Sequence, residues 1–251
     1  MIKLLILFIL ALIVFASYDP DGYRRNSNSL PRIINGIPIA EANFVVSIRV
    51  FGTYKCVGSL VSPRHVVTAA HCVAGRWPIT LTVMGGSTLL SEQRIKRYVR
   101  KVFIPKDYNR PALNKDLAVL VLTSNMRGEN ISTIQLCNSK SFPQLNVYGW
   151  GRTRYKDSSN RLRMVQVPFV EQKQCRQAFK YFMRITPSMF CAGDLRYRDA
   201  CNGDSGGPAI YDNRLCGVVS WGRECASNIY PGVYTNINAV KRFIENVVEN
   251  Y

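Results

Sequence analysis

Short β-rich apolar runs recur along the chain, with turn-forming residues between them. The pattern predicts strands over residues 45–49, 58–61, 79–83, 97–103, 117–122, 147–150, 217–220 and 232–235. Near the C-terminus the period changes. Val240, Phe243, Ile244, Val247 and Val248 fall at i, i+3, i+4, i+7 and i+8, which predicts an amphipathic helix packing the tail onto the body. Many short strands and few helices predict an all-β protein.

The two ends of the chain differ in kind. Residues 1–16 carry one lysine near the start, then an unbroken apolar stretch ending in small and β-branched residues, the composition of a secretory signal peptide cut after Ala16. The apolar stretch 4–15 is too short for a comfortable membrane span, and no later run is longer, so a secreted, extracellular protein without membrane attachment is expected. Residues 17–32 are polar, contain Pro and Gly and show no apolar period, so no packed element is expected there. From Ile33 roughly 220 residues remain, enough for one all-β domain or a fused pair of small barrels. Eight cysteines in a secreted chain, with no C-x-x-C pair or His/Cys ligand cluster, argue for disulfides and against a metal site. No cofactor is expected. Asn130-Ile131-Ser132 is an N-glycosylation sequon in a polar stretch.

Candidate chemistry lies in three places. Residues 202–208 read N-G-D-S-G-G-P, a polar, glycine-dense run with one serine held between Asp204 and two glycines. The backbone N–H groups of Gly203 and Ser205 can turn toward one point and stabilise an oxyanion there. A serine alkoxide is not available at neutral pH, so Ser205 needs a base elsewhere. The chain has only two histidines, and His71 sits in T-A-A-H-C just after the apolar pair Val66-Val67, where a strand would end. An imidazole is oriented by a carboxylate on its other nitrogen, and Asp116 stands at the mouth of the apolar run 117–122. Nothing around the second histidine, His65, suggests chemistry.

The segments T-A-A-H-C, D-L-A-V-L, G-D-S-G-G-P and Ser220-Trp221-Gly222, in this order, resemble the trypsin-like serine proteases of chymotrypsin fold. The match runs from about Ile33 to the C-terminus. The resemblance implies two six-stranded antiparallel β-barrels, about 33–138 and 139–251, with His71 and Asp116 on the first and Ser205 on the second. It also implies the roles: Ser205 as nucleophile, His71 as base and Asp116 as its orienting partner. Asp199 then lies at the floor of the pocket for the residue before the cleaved bond, with Gly222 and Gly232 as its open walls. Ser220, Trp221 and Gly222 present backbone to an extended substrate. Ala200 stands where trypsins often carry a serine, which removes a partner for a lysine ammonium and favours Arg over Lys. Glu224 replaces a usual glycine at the pocket rim, where it either adds negative potential or narrows the entrance. The junction Arg32-Ile33 resembles a zymogen activation site, cut by a trypsin-like protease so that the new ammonium of Ile33 pairs with Asp204. The family's bridges suggest Cys56 with Cys72, Cys175 with Cys191 and Cys201 with Cys225. Cys137 and Cys216 match no usual bridge, and their pairing with each other stays open.

The net charge of +17 is unusual for such a fold, and it remains +15 once the four cations and two acids of the first 32 residues are removed. Arg94, Lys96, Arg97, Arg100, Lys101 and Lys106 concentrate part of it, giving either a solvated strand face or a surface for a polyanion. The expected protein is therefore a secreted zymogen, monomeric, cutting protein or peptide substrates after Arg in preference to Lys and subject to protein inhibitors. The alternative is a catalytically silent homologue that works as a basic protein- or polyanion-binding module; the presence of all three reactive residues separates the two.

Overall fold

The structure, a computed structural model, describes residues 36–139, 141–151, 159–194, 203–223, 227 and 229–251. Among these residues fourteen strands are laid down in chain order, β1 (Ile37–Pro38), β2 (Val45–Val50), β3 (Thr53–Ser62), β4 (His65–Thr68), β5 (Leu81–Gly85), β6 (Ile95–Phe103), β7 (Ala118–Leu122), β8 (Gln135–Leu136), β9 (Gln144–Gly149), β10 (Arg163–Val170), β11 (Met189–Ala192), β12 (Pro208–Tyr211), β13 (Arg214–Trp221) and β14 (Gly232–Asn236). Among the described residues three α-helices join them: α1 (Ala70–Val73), α2 (Gln172–Phe179) and α3 (Ile237–Asn250). None of the helices among the described residues is long and apolar enough to cross a membrane.

The strands close into two six-stranded antiparallel barrels. The first runs β2-β3-β4-β7-β6-β5 and returns to β2. The second runs β10-β11-β14-β13-β12-β9 and closes through β9 and β10, whose register pairs Val165 with Val147. Closure leaves no unpaired sheet edge within either ring. β7 reads A-V-L-V-L and is buried on both faces, as expected of a strand lying between the barrel interior and the packing outside it. Each such Leu or Val, taken out of water, contributes about 1.5–3 kcal/mol. One core cluster runs through both barrels, from Val46, Leu60 and Leu120 to Val147, Val218 and Tyr234.

The division near residue 139 is not clean. β1 pairs with β10, and β8 pairs in parallel with β13, so two short strands that precede residue 139 join the second sheet. The expected strand over 79–83 starts later, because Pro78–Thr80 forms a 3-10 turn before β5. Pro78 fits there as a first-turn residue with no N–H to lose. The strands β1, β8, β11 and β12 have four residues or fewer and carry too little pattern to be read. α2 was also unforeseen, since it buries only Cys175 and Phe179. The C-terminal helix follows its period: Ile237, Val240, Ile244 and Val247 are buried, and the Asn236 side chain caps it by accepting from the Asn238 N–H at 3.1 Å.

Disulfides join Cys56 to Cys72, Cys137 to Cys216 and Cys175 to Cys191. Cys201 and Cys225 lie outside the described residues.

Candidate active site

β4 ends at Thr68, and the single turn of α1 carries His71 away from the barrel. The neighbouring Cys72 is bonded to Cys56 in β3, which fixes that turn to the barrel wall. Asp116 enters from a tight turn just ahead of β7, after Lys115, whose φ is +50°. Its carboxylate is fully buried. One oxygen, Oδ1, accepts the His71 main-chain N–H at 2.9 Å. The other, Oδ2, lies 2.7 Å from His71 Nδ1 and accepts the Ser220 hydroxyl at 2.6 Å. Thr235 in β14 donates its hydroxyl to the Asp116 carbonyl at 2.8 Å. Residues 45 positions apart in the first barrel are thus joined, and two strands of the second barrel hold the acid in place. A carboxylate so held fixes the proton on Nδ1 and leaves Nε2 as the nitrogen able to take one.

Ser205 stands on the loop that opens into β12, and main-chain bonds tie this loop to both barrels. Val57 of β3 donates to the Ser205 carbonyl at 2.9 Å, and Gly206 donates to Val219 of β13 at 2.8 Å. Gly206 is required by contact as well as by its φ of +79°, because a Cβ there would meet Thr68 Oγ1 at 2.2 Å and the Val57 carbonyl at 2.4 Å. The serine loop is therefore pressed against Thr68, three residues before His71. No hydrogen bond joins Ser205 Oγ to His71 among the described residues, and Nε2 lies 3.7 Å from Cys72 Sγ. Such contacts commonly tighten only when substrate arrives. The Ser205 N–H makes no hydrogen bond within the described residues.

Two side chains that sequence reasoning did not single out support the site. Thr235 is one. Tyr54 is the other: its hydroxyl donates to the Gly203 carbonyl at 2.5 Å, and its ring meets Trp150 edge to face with centroids 6.3 Å apart. Burial, and then the negative charge of Asp204, push the Tyr54 phenol well above the ordinary tyrosine value, so it remains a donor. No sequence signal marks Tyr54, because its partner lies 149 residues away. Asp204 is itself buried, and its Oδ1 accepts the Gly151 N–H at 2.8 Å. A Cβ at Gly151 would stand 2.5 Å from both carboxylate oxygens, so only glycine fits there.

Ser220 and Trp221 end β13, and Gly222 follows in the open with no atom within 4 Å of where a Cβ would be. Gly232 starts β14, opposite Ala192. Asp199, Ala200, Glu224, Arg32 and Ile33 lie outside the described residues. Cys56, His71 and Cys72 come close enough to resemble a metal-binding group, but the two sulfurs are bonded to each other and have no lone thiolate to offer.

Asn130 is exposed at a turn with φ +55°. Of the basic run, Arg94, Lys96, Arg100, Lys101 and Lys106 are exposed, while Arg97 turns its Nε to the Asn125 carbonyl at 2.8 Å.

The sequence matches the family described as Trypsin over residues 33–244. Seminase of Drosophila melanogaster is 40% identical over 225 residues, covering 85% of this chain and 80% of its own length. Trypsin 5G1 of Aedes aegypti is 37% identical over 232 residues, covering 86% of this chain and 85% of its own. Vitellin-degrading protease of Bombyx mori is 35% identical over 228 residues, covering 87% and 86%. With two closed barrels and this extent of match, the chain belongs to the trypsin family, the trypsin-like serine proteases of chymotrypsin fold.

Proposed function

We propose that the chain is an active, secreted serine endopeptidase made as a zymogen and directed to bonds after Arg. The observation that carries this reading is the buried Asp116 carboxylate holding His71 at 2.7 Å while Ser220 holds the carboxylate. Ser205 attacks the substrate carbonyl, His71 takes the proton and returns it to the leaving amine, and Asp116 stabilises the imidazolium. The Gly203 and Ser205 N–H groups receive the oxyanion. Water then hydrolyses the acyl-enzyme by the same proton route.

The specificity reading rests on Asp199 with Ala200 beside it and glycine at 222 and 232. A guanidinium forks onto one carboxylate, whereas a lysine ammonium loses the missing hydroxyl. Arg is favoured over Lys by about fivefold, the worth of one modest hydrogen bond. The activation reading rests on Arg32-Ile33 and on the buried Asp204: cleavage frees an ammonium that pairs with it, so residues 17–32 act as propeptide and 1–16 as signal. The exposed sequon at Asn130 takes a glycan, and the exposed cations of β6 form a surface for a polyanion. The protein acts as a monomer, activated by another trypsin-like protease and held in check by protein inhibitors.

The test is hydrolysis of matched Arg, Lys and Phe peptides by the purified chain before and after cleavage at Arg32, with Ser205→Ala as control. Activity confined to the cleaved chain, to basic residues and to intact Ser205 is the expected result. Folded, correctly cleaved protein without activity overturns the reading and leaves a binding module.

A further inference from the structure

Past Trp221 the surface opens into a groove that the bond-breaking chemistry does not use. It lies where the chain turns from the end of α2 toward β11, and it holds about 540 Å³ between Arg176, Lys180, Arg184, Tyr181, Phe182 and Pro187. Among the described residues, no acid lines it. Arg176, Lys180 and Arg184 are exposed, and none pairs with an acid among the described residues. Large apolar side chains stand in water beside them, Tyr181 at 91% exposure and Phe182 at 51%. Lys180 Nζ rests 4.5 Å above the Tyr181 ring. A fourth cation stands beside the Phe182 wall: the Arg223 guanidinium lies 5.0 Å from the Phe182 ring and 4.6 Å from the Tyr230 ring, and it donates to the Tyr230 hydroxyl at 2.6 Å.

The groove wall packs against the end of β13. Phe182, on its wall, packs 6.3 Å from Trp221, and Phe179 packs 4.8 Å from the same indole. Trp221 follows Ser220, whose hydroxyl is bonded to Asp116. On the reading proposed above, the residue before the cleaved bond passes Gly222, and the residues preceding it run along Ser220 to Gly222 and beyond Trp221. An extended chain advances about 3.3–3.6 Å per residue, so on that path the cations meet side chains several positions upstream of the cleaved bond.

We propose that this groove is a subsite for carboxylate side chains, selecting substrates that carry Asp or Glu shortly before the cleaved Arg. The inference rests on the endopeptidase reading for its direction. Single exposed ion pairs discriminate weakly, but three cations along one groove, with Arg223 beside its Phe182 wall, act together, and salt screens them. Aromatic faces among the cations give the peptide backbone and stems an apolar floor, which a sulfated glycan would not need.

The experiment compares kcat/KM of the activated chain on two peptides with Arg at the cleaved position, one with acidic and one with amide side chains upstream. Wild type is expected to favour the acidic peptide by about tenfold at low salt, and Lys180→Glu with Arg184→Glu to bring the ratio to about one or below. Equal rates in wild type, or a preference that the double variant keeps, overturn the proposal. Cleavage of the amide peptide by wild type tests the endopeptidase reading separately. If neither peptide is cut, anisotropy of the labelled peptides on Ser205→Ala decides for the groove. Tighter binding of the acidic one, weakened by the double reversal, supports it, and equal binding overturns it. Heparin binding lost in the double variant while the peptide ratio is unchanged also overturns it, assigning the groove to a glycan.

Discussion

Tyr54 shows how much of the site rests on a residue that does no chemistry. Its hydroxyl holds the carbonyl of Gly203, and in the proposed mechanism the peptide on the other side of Gly203 is the one whose N–H receives the oxyanion. A neutral hydrogen bond contributes about 1 kcal/mol, so Tyr54→Phe, which keeps the ring packed on Trp150, is expected to lower kcat about fivefold. KM should stay where it is, since the bond positions a group that acts on the transition state. Steady-state kinetics on one Arg peptide check this; a raised KM with kcat intact would show that Tyr54 shapes substrate binding instead. No composition or spacing marks Tyr54, whereas His71 is conspicuous as one of only two histidines, set in T-A-A-H-C.

At the scale of elements, β6 explains how the basic run becomes a surface. Its register shifts between Val99 and Lys101, and this bulge leaves Arg100 and Lys101 both exposed instead of alternating inward and outward. Lys96 rests 4.8 Å over Tyr98, and Lys101 4.8 Å over the ring of Tyr251 at the end of α3. The charged heads remain in water while their stems cover rings. Replacing Lys96, Arg100 and Lys101 with Gln is expected to elute the folded protein from heparin at lower salt than replacing three cations elsewhere on the surface. Equal elution would make the retention a matter of net charge alone. The run of cations was legible in the sequence; the bulge was not, because it depends on how β6 pairs with β7.

For the whole molecule, the buried His65 couples stability to pH. It lies in β4 with its Nδ1 2.7 Å from the Ser62 hydroxyl, while its Nε2 is buried without a partner among the described residues. Burial, reinforced by the neighbouring Arg64, lowers its pKa below the ordinary histidine value of 6.5. The unfolded chain therefore binds this proton more readily than the folded one. The associated stability is fully present above the unfolded value and is lost as pH falls through the lower folded value. Between about pH 7 and pH 5, His65→Gln should flatten the fall in Tm measured by calorimetry. A slope identical to wild type would show that other groups set the acid limit.

The all-β class and the C-terminal helix followed from the sequence alone, because alternation and a 3.6-residue period are local properties that chain neighbours impose on one another. T-A-A-H-C, D-L-A-V-L and G-D-S-G-G-P likewise named their own residues, since each packs several chemically constrained positions into one short segment. Tertiary structure decided everything that depends on partners far along the chain. It put β1 and β8 into the second sheet and drew Ser220 and Thr235 onto Asp116, 104 and 119 residues away. It pressed Gly206 against Thr68, set Arg176, Lys180 and Arg184 along one groove with Tyr181 and Phe182, and laid Arg223 between Phe182 and Tyr230. Closing two barrels against each other fixes those distances, and a linear pattern carries no information about which strand will lie beside which.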